Sequence, residues 1–333
     1  MRILVVTQQN SGVGYHRLML PIYYLPKTYA LFTDVLNEEN LKDNYDILLI
    51  NRFISGVELE TILAYKEKYG FKLIVDIDDY WVLDSHHIIK NYPTETIIEH
   101  IKAADLVTTT HERLRDRILP FNKNVEILPN ALPYGKDQFT DVRTESDKVR
   151  FVYAGSITHE KDVAILRNPL KRVLELKNQV EFCFCGYNPE EKYYANVWHN
   201  MIQAFTCGFK LGHIRAALPV TEYMNFYNDA DCTIVPLMET TFNSMKSNLK
   251  LLEAACKKIP AIVSNVHPYK GAPILAVDKQ TDWFKQIKKV TQDAIYRQEK
   301  GLELHEWAIQ NFDLIKVNEK RKQLYASSIM QKW

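Results

Sequence analysis

The stretch Phe242-Asn-Ser-Met-Lys-Ser-Asn-Leu-Lys-Leu-Leu-Glu253, continued by Ala254-Ala-Cys-Lys-Lys-Ile-Pro-Ala-Ile-Val-Ser264, decides the fold. Just before it, Cys232-Thr-Ile-Val-Pro-Leu237 is a short apolar run, the pattern of a strand buried on both faces. From Leu249 the residues Leu249, Leu252, Ala255 and Cys256 recur at helical spacing. Ser244 or Ser247 is placed to cap the helix start, and Pro260 to stop the helix. Ala261-Ile-Val-Ser264 then begins another buried strand. The loop of this strand, loop, helix, strand unit carries Asn243, Lys246, Ser247 and Asn248 at a helix N-terminus. Free N–H groups and the positive dipole end favour phosphate there, and a lysine adds to the attraction. Glu253 lies one or two turns into the helix, within reach of a ribose. The plain alternative is an amphipathic helix with a solvated lysine and glutamate.

The same unit recurs outward along the chain. Arg2-Ile-Leu-Val-Val-Thr7 reads as a buried strand, Gln8 to Gly14 as its loop, and a helix begins near Tyr15. Gly12-Val-Gly14 lacks the third glycine of the dinucleotide fingerprint, since position 17 is arginine, so a plain turn is the first reading. Asp46-Ile-Leu-Leu-Ile-Asn-Arg-Phe53 is a strand ending in polar Asn51 and Arg52. Ligands in open α/β sheets sit at such carboxyl ends. Val57 to Tyr69 is a helix with Gly70 as its stop.

Phe71-Lys-Leu-Ile-Val-Asp-Ile-Asp-Asp-Tyr-Trp81 runs an apolar strand into three carboxylates and two aromatics. Alternation puts Asp76 and Asp78 on one face and Asp79 on the other. Clustered carboxylates repel unless they meet a metal, a base or a hydroxyl-rich sugar, so Asp78→Asn is expected to leave stability level or raise it. A helix cap is the plain alternative for Asp78. Ser85-His-His87 forms no shared metal site, because adjacent side chains do not face one way.

Further on, Asp105 to Thr110 and Val125 to Asn130 are strands, and Pro133 to Lys148 is a polar linker. Arg150-Phe-Val-Tyr-Ala-Gly155 opens a second series, whose first loop is Ser156-Ile-Thr-His-Glu-Lys-Asp162. Val180 to Gly186 follows as a strand, Tyr223 to Asp231 as a short helix, Ala272 to Val277 as the last strand. A helical tail runs from Asp282 to Lys332, broken near Asn311-Phe-Asp313. Two such series imply an α/β protein of two doubly wound domains.

The chain has 333 residues, enough for two cores, with 46% hydrophobic and 25% charged residues and a net charge of +1. No global basic field is present to hold nucleic acid. No apolar run approaches a membrane span, and the start, entering a strand at once, shows no signal-peptide pattern. The five cysteines have no Cys-x-x-Cys spacing, and Cys183, Cys232 and Cys256 sit in apolar runs as small core residues. These features point to the cytoplasm.

Three stretches carry a resemblance that covers nearly the whole chain. Residues 228 to 269 resemble the donor-binding segment of GT-B glycosyltransferases, family 4 in particular. The order Val107-Thr-Thr-Thr110, Arg113-Leu114, Ile127-Leu-Pro-Asn-Ala-Leu132 is similar to that family's interdomain segment. Gly12-Val-Gly-Tyr-His-Arg-Leu-Met-Leu-Pro21 and Asp76-Ile-Asp-Asp-Tyr-Trp81 resemble glycosyltransferases of large bacteriophages, where some act on hydroxymethylated bases in DNA and others build surface polysaccharide. The resemblance implies a GT-B fold with two Rossmann-like domains facing a cleft: an acceptor-side domain at 1–132, the linker at 133–148, a donor domain at 149–302, and a helix at 303–333 crossing back to the first domain.

It also implies roles. Glu253 falls at the second glutamate of a paired motif and would hold the ribose; the first falls at Met245. The Phe242-Asn-x-x-Lys-Ser247 form belongs to a subset of the family. Lys161, six residues after Gly155, would contact the diphosphate with Lys246, both serving catalysis by stabilising the leaving group. Ser156 stands where a basic residue is usual, and His159 with Asp162 fits a Thr-His-x-x-Asp variant. Gly14, Gly155, Ser156, His159, Asn243, Ser247 and Asn248 would line the donor site, and Tyr187 would stack on the base. Asp78 aligns with a histidine beside the donor sugar and would act on the sugar or acceptor. Tyr15, His16, Arg17, Arg52, Asp76, Asp79 and Trp81 would face the acceptor. The expected reaction is metal-independent sugar transfer with retention, without a cofactor. The donor would be a nucleotide-diphosphate-sugar, a UDP-sugar first, and the acceptor modified DNA or a glycan. A sugar-nucleotide epimerase and a nucleotide-binding module without turnover are the alternatives of other classes.

Overall fold

The computed structural model describes residues 1–330 except Gln9, His86 and Lys90. The histidine pair at 86–87, part of the loop from Gln8, and the last residues of the tail therefore lie partly outside the described residues. The chain divides into two compact units. One comprises Met1–Ala131, Met245–Ser247 and the chain from Phe312 on; the other comprises Leu132–Ser244 and Asn248–Asn311.

The apolar runs of the first unit form β1 (Arg2–Val6), β2 (Tyr29–Thr33), β3 (Ile47–Asn51), β4 (Lys72–Ile77), β5 (Leu106–Thr109) and β6 (Val125–Ile127). All pair in parallel, in the order β2-β1-β3-β4-β5-β6. Such strands are apolar on both faces because both are covered. Leu4, Val6, Leu48, Ile50, Leu73 and Val75 build one core; Ile3, Val5, Ile47, Leu49 and Ile74 build the other with Leu18, Ile22 and Tyr325. Tyr325 belongs to the helix Leu314–Met330, so the tail supplies part of this unit's core.

The second unit holds β7 (Val149–Ala154), β8 (Val180–Tyr187), β9 (Gly212–Ala216), β10 (Cys232–Val235), β11 (Ala261–Ser264) and β12 (Leu275–Val277). Their order is β12-β11-β10-β7-β8-β9, again all parallel. Counted from β7, this is the 3-2-1-4-5-6 arrangement of a nucleotide-binding doubly wound sheet. The order reverses between β7 and β10, and in the first sheet between β1 and β3. In doubly wound sheets ligands bind at such switch points.

Several local expectations need correction. Neither Ser244 nor Ser247 caps the helix Leu249–Cys256; Asn248 takes the cap position without a side-chain bond. The Ser244 hydroxyl donates to Thr241 O and the Ser247 hydroxyl oxygen accepts from Asn130. That helix ends before Pro260 acts, because Lys258 adopts a left-handed φ of 55°. The last strand begins at Leu275, not Ala272. Residues 133–148 form no helix, and the second unit straps them: Lys258 pairs with Asp141, and Lys257 Nζ donates to Val142 O.

Candidate functional site

At the switch point of the first unit, the helix from Gly14 starts hard against β1. A Cβ on Gly14 would lie 2.2 Å from Thr7 Oγ1, so the close approach needs glycine. The turn Gly14–Met19 is a π-helix that buries Tyr15, His16 and Arg17. These are three of the residues that the resemblance places on the acceptor side. Burial, with Arg17 alongside, pushes His16 down to about 4, so it is neutral near pH 7. Arg17 is only 4% exposed. Its Nε and Nη2 donate to the two oxygens of Asp76 at 2.9 and 2.7 Å. Its Nη1 donates to Leu128 O at 2.8 Å and to Asn130 Oδ1 at 2.9 Å.

Next to this pair, Arg52 directly follows β3 with a left-handed φ of 59°, a strained conformation for a side chain of this size. Its guanidinium meets Asp78, which accepts from Nε at 3.0 Å and Nη2 at 2.9 Å. Asn51 Nδ2 donates to Asp78 Oδ1 at 3.0 Å, and Arg52 also donates to the Tyr92 hydroxyl. Burial works against the Asp78 carboxylate, yet Arg52 and Asn51 hold it below its ordinary value. The three carboxylates therefore do not simply repel: Asp76 is paired with the buried Arg17 and Asp78 with the half-buried Arg52, which points to a loss of stability in Asp78→Asn rather than the level or raised stability expected from repulsion. Asp79, expected on the opposite face, lies 3.6 Å from the same Arg52, because the strand ends at Ile77 and alternation ends with it. Lys246 Nζ is also 3.6 Å from Asp79. Trp81 is a core side chain, 3% exposed and packed edge-on against Phe121.

In the second unit the loops after β7 and β10 meet at Asp162. His159 Nδ1 lies 2.8 Å from Asp162 Oδ2. Asp162 Oδ1 accepts from Met238 N at 2.8 Å and from Asn243 Nδ2 at 3.1 Å. Asn243 is thus a buried strut of the loop before the helix. Gly186 lets the end of β8 approach the β7 loop: its φ is 96° and a Cβ there would sit 2.8 Å from Gly155 O. Gly155 N donates to Cys185 O at 3.3 Å. Ser156 is exposed, with its hydroxyl 2.9 Å from that of Thr158. Tyr187 falls inside β8 with its ring perpendicular to Trp198 at 5.7 Å.

Glu253 is buried, at 3% exposure, and accepts from the Tyr227 hydroxyl at 2.7 Å. Burial pushes it up to about 7 against the pull of Lys250 and Tyr227. Lys161 is exposed in the short helix Glu160–Ala164. The lysine at the carboxyl end of β7 is instead Lys250, whose Nζ donates to Ala154 O and lies 5.5 Å from the Tyr153 ring. The sequence reading missed Lys250, Tyr227 and Asn130. Helical spacing alone could have flagged Lys250, one turn before Glu253; the other two meet their partners only through the fold.

Among the described residues no cluster of three or more His, Cys, Asp or Glu could hold a metal ion, and no helix is long and apolar enough to cross a membrane. All five cysteines are free, Cys207 half-buried and the others buried.

Residues 148–293 match the family model described as "Glycosyl transferases group 1". No curated protein matches. Among solved structures, sucrose-phosphate synthase from Thermosynechococcus elongatus superposes with a TM-score of 0.71 at 13% identity, covering 98% of each chain. HepE of Anabaena in complex with UDP and glucose gives 0.70 at 10% identity, over 98% of this chain and 100% of that one. A glycosyltransferase from Rickettsia africae gives 0.65 at 12% identity, over 99% of both. At these identities the likeness is one of fold, and the fold is the GT-B α/β architecture expected from the sequence.

Proposed function

We propose that this chain, which carries a group 1 glycosyltransferase domain over residues 148–293, transfers a sugar from a nucleotide-diphosphate donor to a hydroxyl acceptor. That match is the observation that carries the reading. HepE binds UDP and glucose, which makes a UDP-sugar the first donor to test.

In this reading the donor lies at the switch point between β7 and β10. Gly155, Ser156 and His159 approach it from the first loop, and Lys246, Ser247 and Asn248 from the second. Helix amides and lysine charge stabilise the leaving diphosphate, with Lys250 added to Lys161 and Lys246. Glu253 accepts hydrogen bonds from the ribose, which requires its ionised form, and Tyr187 stacks on the base. Asp78 is held as a carboxylate by Arg52, so it is a weak base. Its part is to accept a hydrogen bond from the sugar or acceptor hydroxyl rather than to take a proton. In this reading transfer with retention is achieved by positioning and charge stabilisation.

The acceptor is a hydroxyl of a glycan or of a hydroxymethylated base in DNA. The net charge of +1 supplies no basic field that favours the second. The test is a thermal-shift screen of UDP-, GDP- and ADP-sugars, followed by product mass on both acceptor classes. UDP-sugars should raise Tm, and one acceptor class should gain the mass of one sugar. No shift with any nucleotide-sugar would end this reading; binding without turnover would leave a binding module.

A further inference from the structure

The hydrogen bonds around Arg17 have a direction that ends on Ser247. Asp76 accepts from Arg17 twice and from the Thr108 hydroxyl at 2.6 Å. Arginine has only donors, so Asn130 must present its amide oxygen to Arg17 Nη1, at 2.9 Å. Its amino group then points the other way and donates to Ser247 Oγ at 2.7 Å. Turning the buried amide over would set donor against donor at Arg17, so its orientation is locked. The Ser247 oxygen is consequently an acceptor, and the hydroxyl keeps its own hydrogen to give. Among the described residues no acceptor takes that hydrogen. Ser247 is half-buried and directly precedes Asn248, which opens the helix Leu249–Cys256.

We infer that Asn130 is a positioning residue that makes Ser247 a hydrogen-bond donor to an anionic oxygen of the ligand, here a diphosphate oxygen. This rests on the donor site proposed above. Asn130 touches no ligand; it fixes the polarity of the hydroxyl that does. A carboxylate or carbonyl at position 130 would accept from Ser247 and turn its hydrogen inward.

The test is calorimetric titration of UDP and of uridine into wild type, Asn130→Asp, Ser247→Ala and the double variant. Asn130→Asp keeps the bond to Arg17 and a bond to Ser247 but reverses the latter. It should fold with a similar Tm and bind UDP about ten- to hundredfold more weakly, the scale of one hydrogen bond to a charged group. Uridine affinity should not change. Ser247→Ala should lose as much, and the double variant no more than Ser247→Ala, because both act through one hydrogen. If the added charge of Asn130→Asp repelled UDP directly, the double variant would bind more weakly still, and the proposal would fall. UDP binding by Asn130→Asp at wild-type strength would also overturn it. If Asn130→Asp does not fold, Ser247→Ala decides: unchanged UDP affinity, or equal losses for UDP and uridine, overturns the inference while the donor site stands. A wild type that binds no UDP overturns both.

Discussion

Asp78 and Glu253 are both buried carboxylates, and their surroundings push them in opposite directions. Arg52 and Asn51 hold Asp78 below its ordinary value, whereas burial lifts Glu253 to about 7. Asp78→Asn leaves Arg52 without its bidentate partner in a site with little solvent. Because Arg52 is half-buried and keeps Asp79 at 3.6 Å, the change should cost about 1–3 kcal/mol in urea unfolding, less than breaking a fully buried ion pair. A change within a few tenths would show that the pair contributes nothing to stability. For Glu253 the sign is the reverse of the usual carboxylate. Between its ordinary value of 4.5 and about 7, only the folded chain keeps the proton. Stability from this group is therefore full below the lower value, falls as pH rises through that window, and is level above it. The fall amounts to about 3 kcal/mol, since each pK unit is worth about 1.4 kcal/mol. Glu253→Gln has no such proton, so its stability relative to wild type should grow from pH 4.5 to 7. A constant difference across that range would show Glu253 ionised in the folded chain.

At the scale of elements, the ends of β7 and β8 approach closely where Gly186 faces Gly155 O. Gly186→Ala meets both a left-handed φ and a backbone oxygen at 2.8 Å, so the β7 loop must shift. Stability should drop by about 1–3 kcal/mol, the usual cost of a strained residue, and UDP affinity should fall with it. Unchanged affinity would place the donor away from this loop. Elements of this kind were legible in the sequence where the signal is local. The apolar runs that became Arg2–Val6 and Cys232–Val235 announced buried strands, and Gly70 announced its helix stop. What pairs across distance was not legible. Arg17 is 59 residues from Asp76, and no periodicity reports that a strand-end carboxylate will meet an arginine from another helix. For that reason the carboxylates at the end of β4 read as repelling unless a ligand meets them, and Arg17 as an acceptor-side residue.

At the scale of the molecule, the two sheets have different strand orders, and each puts polar side chains at its own switch point. The alternation of strands and helices announced two doubly wound domains. It did not announce which strands neighbour which, because apolar runs of similar length do not encode order. The first unit draws on three separate segments, including residues 245–247 and the tail helix. The central claim is that the second unit's switch point takes the nucleotide diphosphate of a sugar donor, with Glu253 on its ribose. Titration of UDP and 2′,3′-dideoxy-UDP into wild type and Glu253→Gln tests it most directly. Wild type should bind UDP more tightly than the dideoxy analogue, and Glu253→Gln should lose about ten- to hundredfold for UDP alone. Equal losses for both ligands, or no binding of UDP by the wild type, would contradict it.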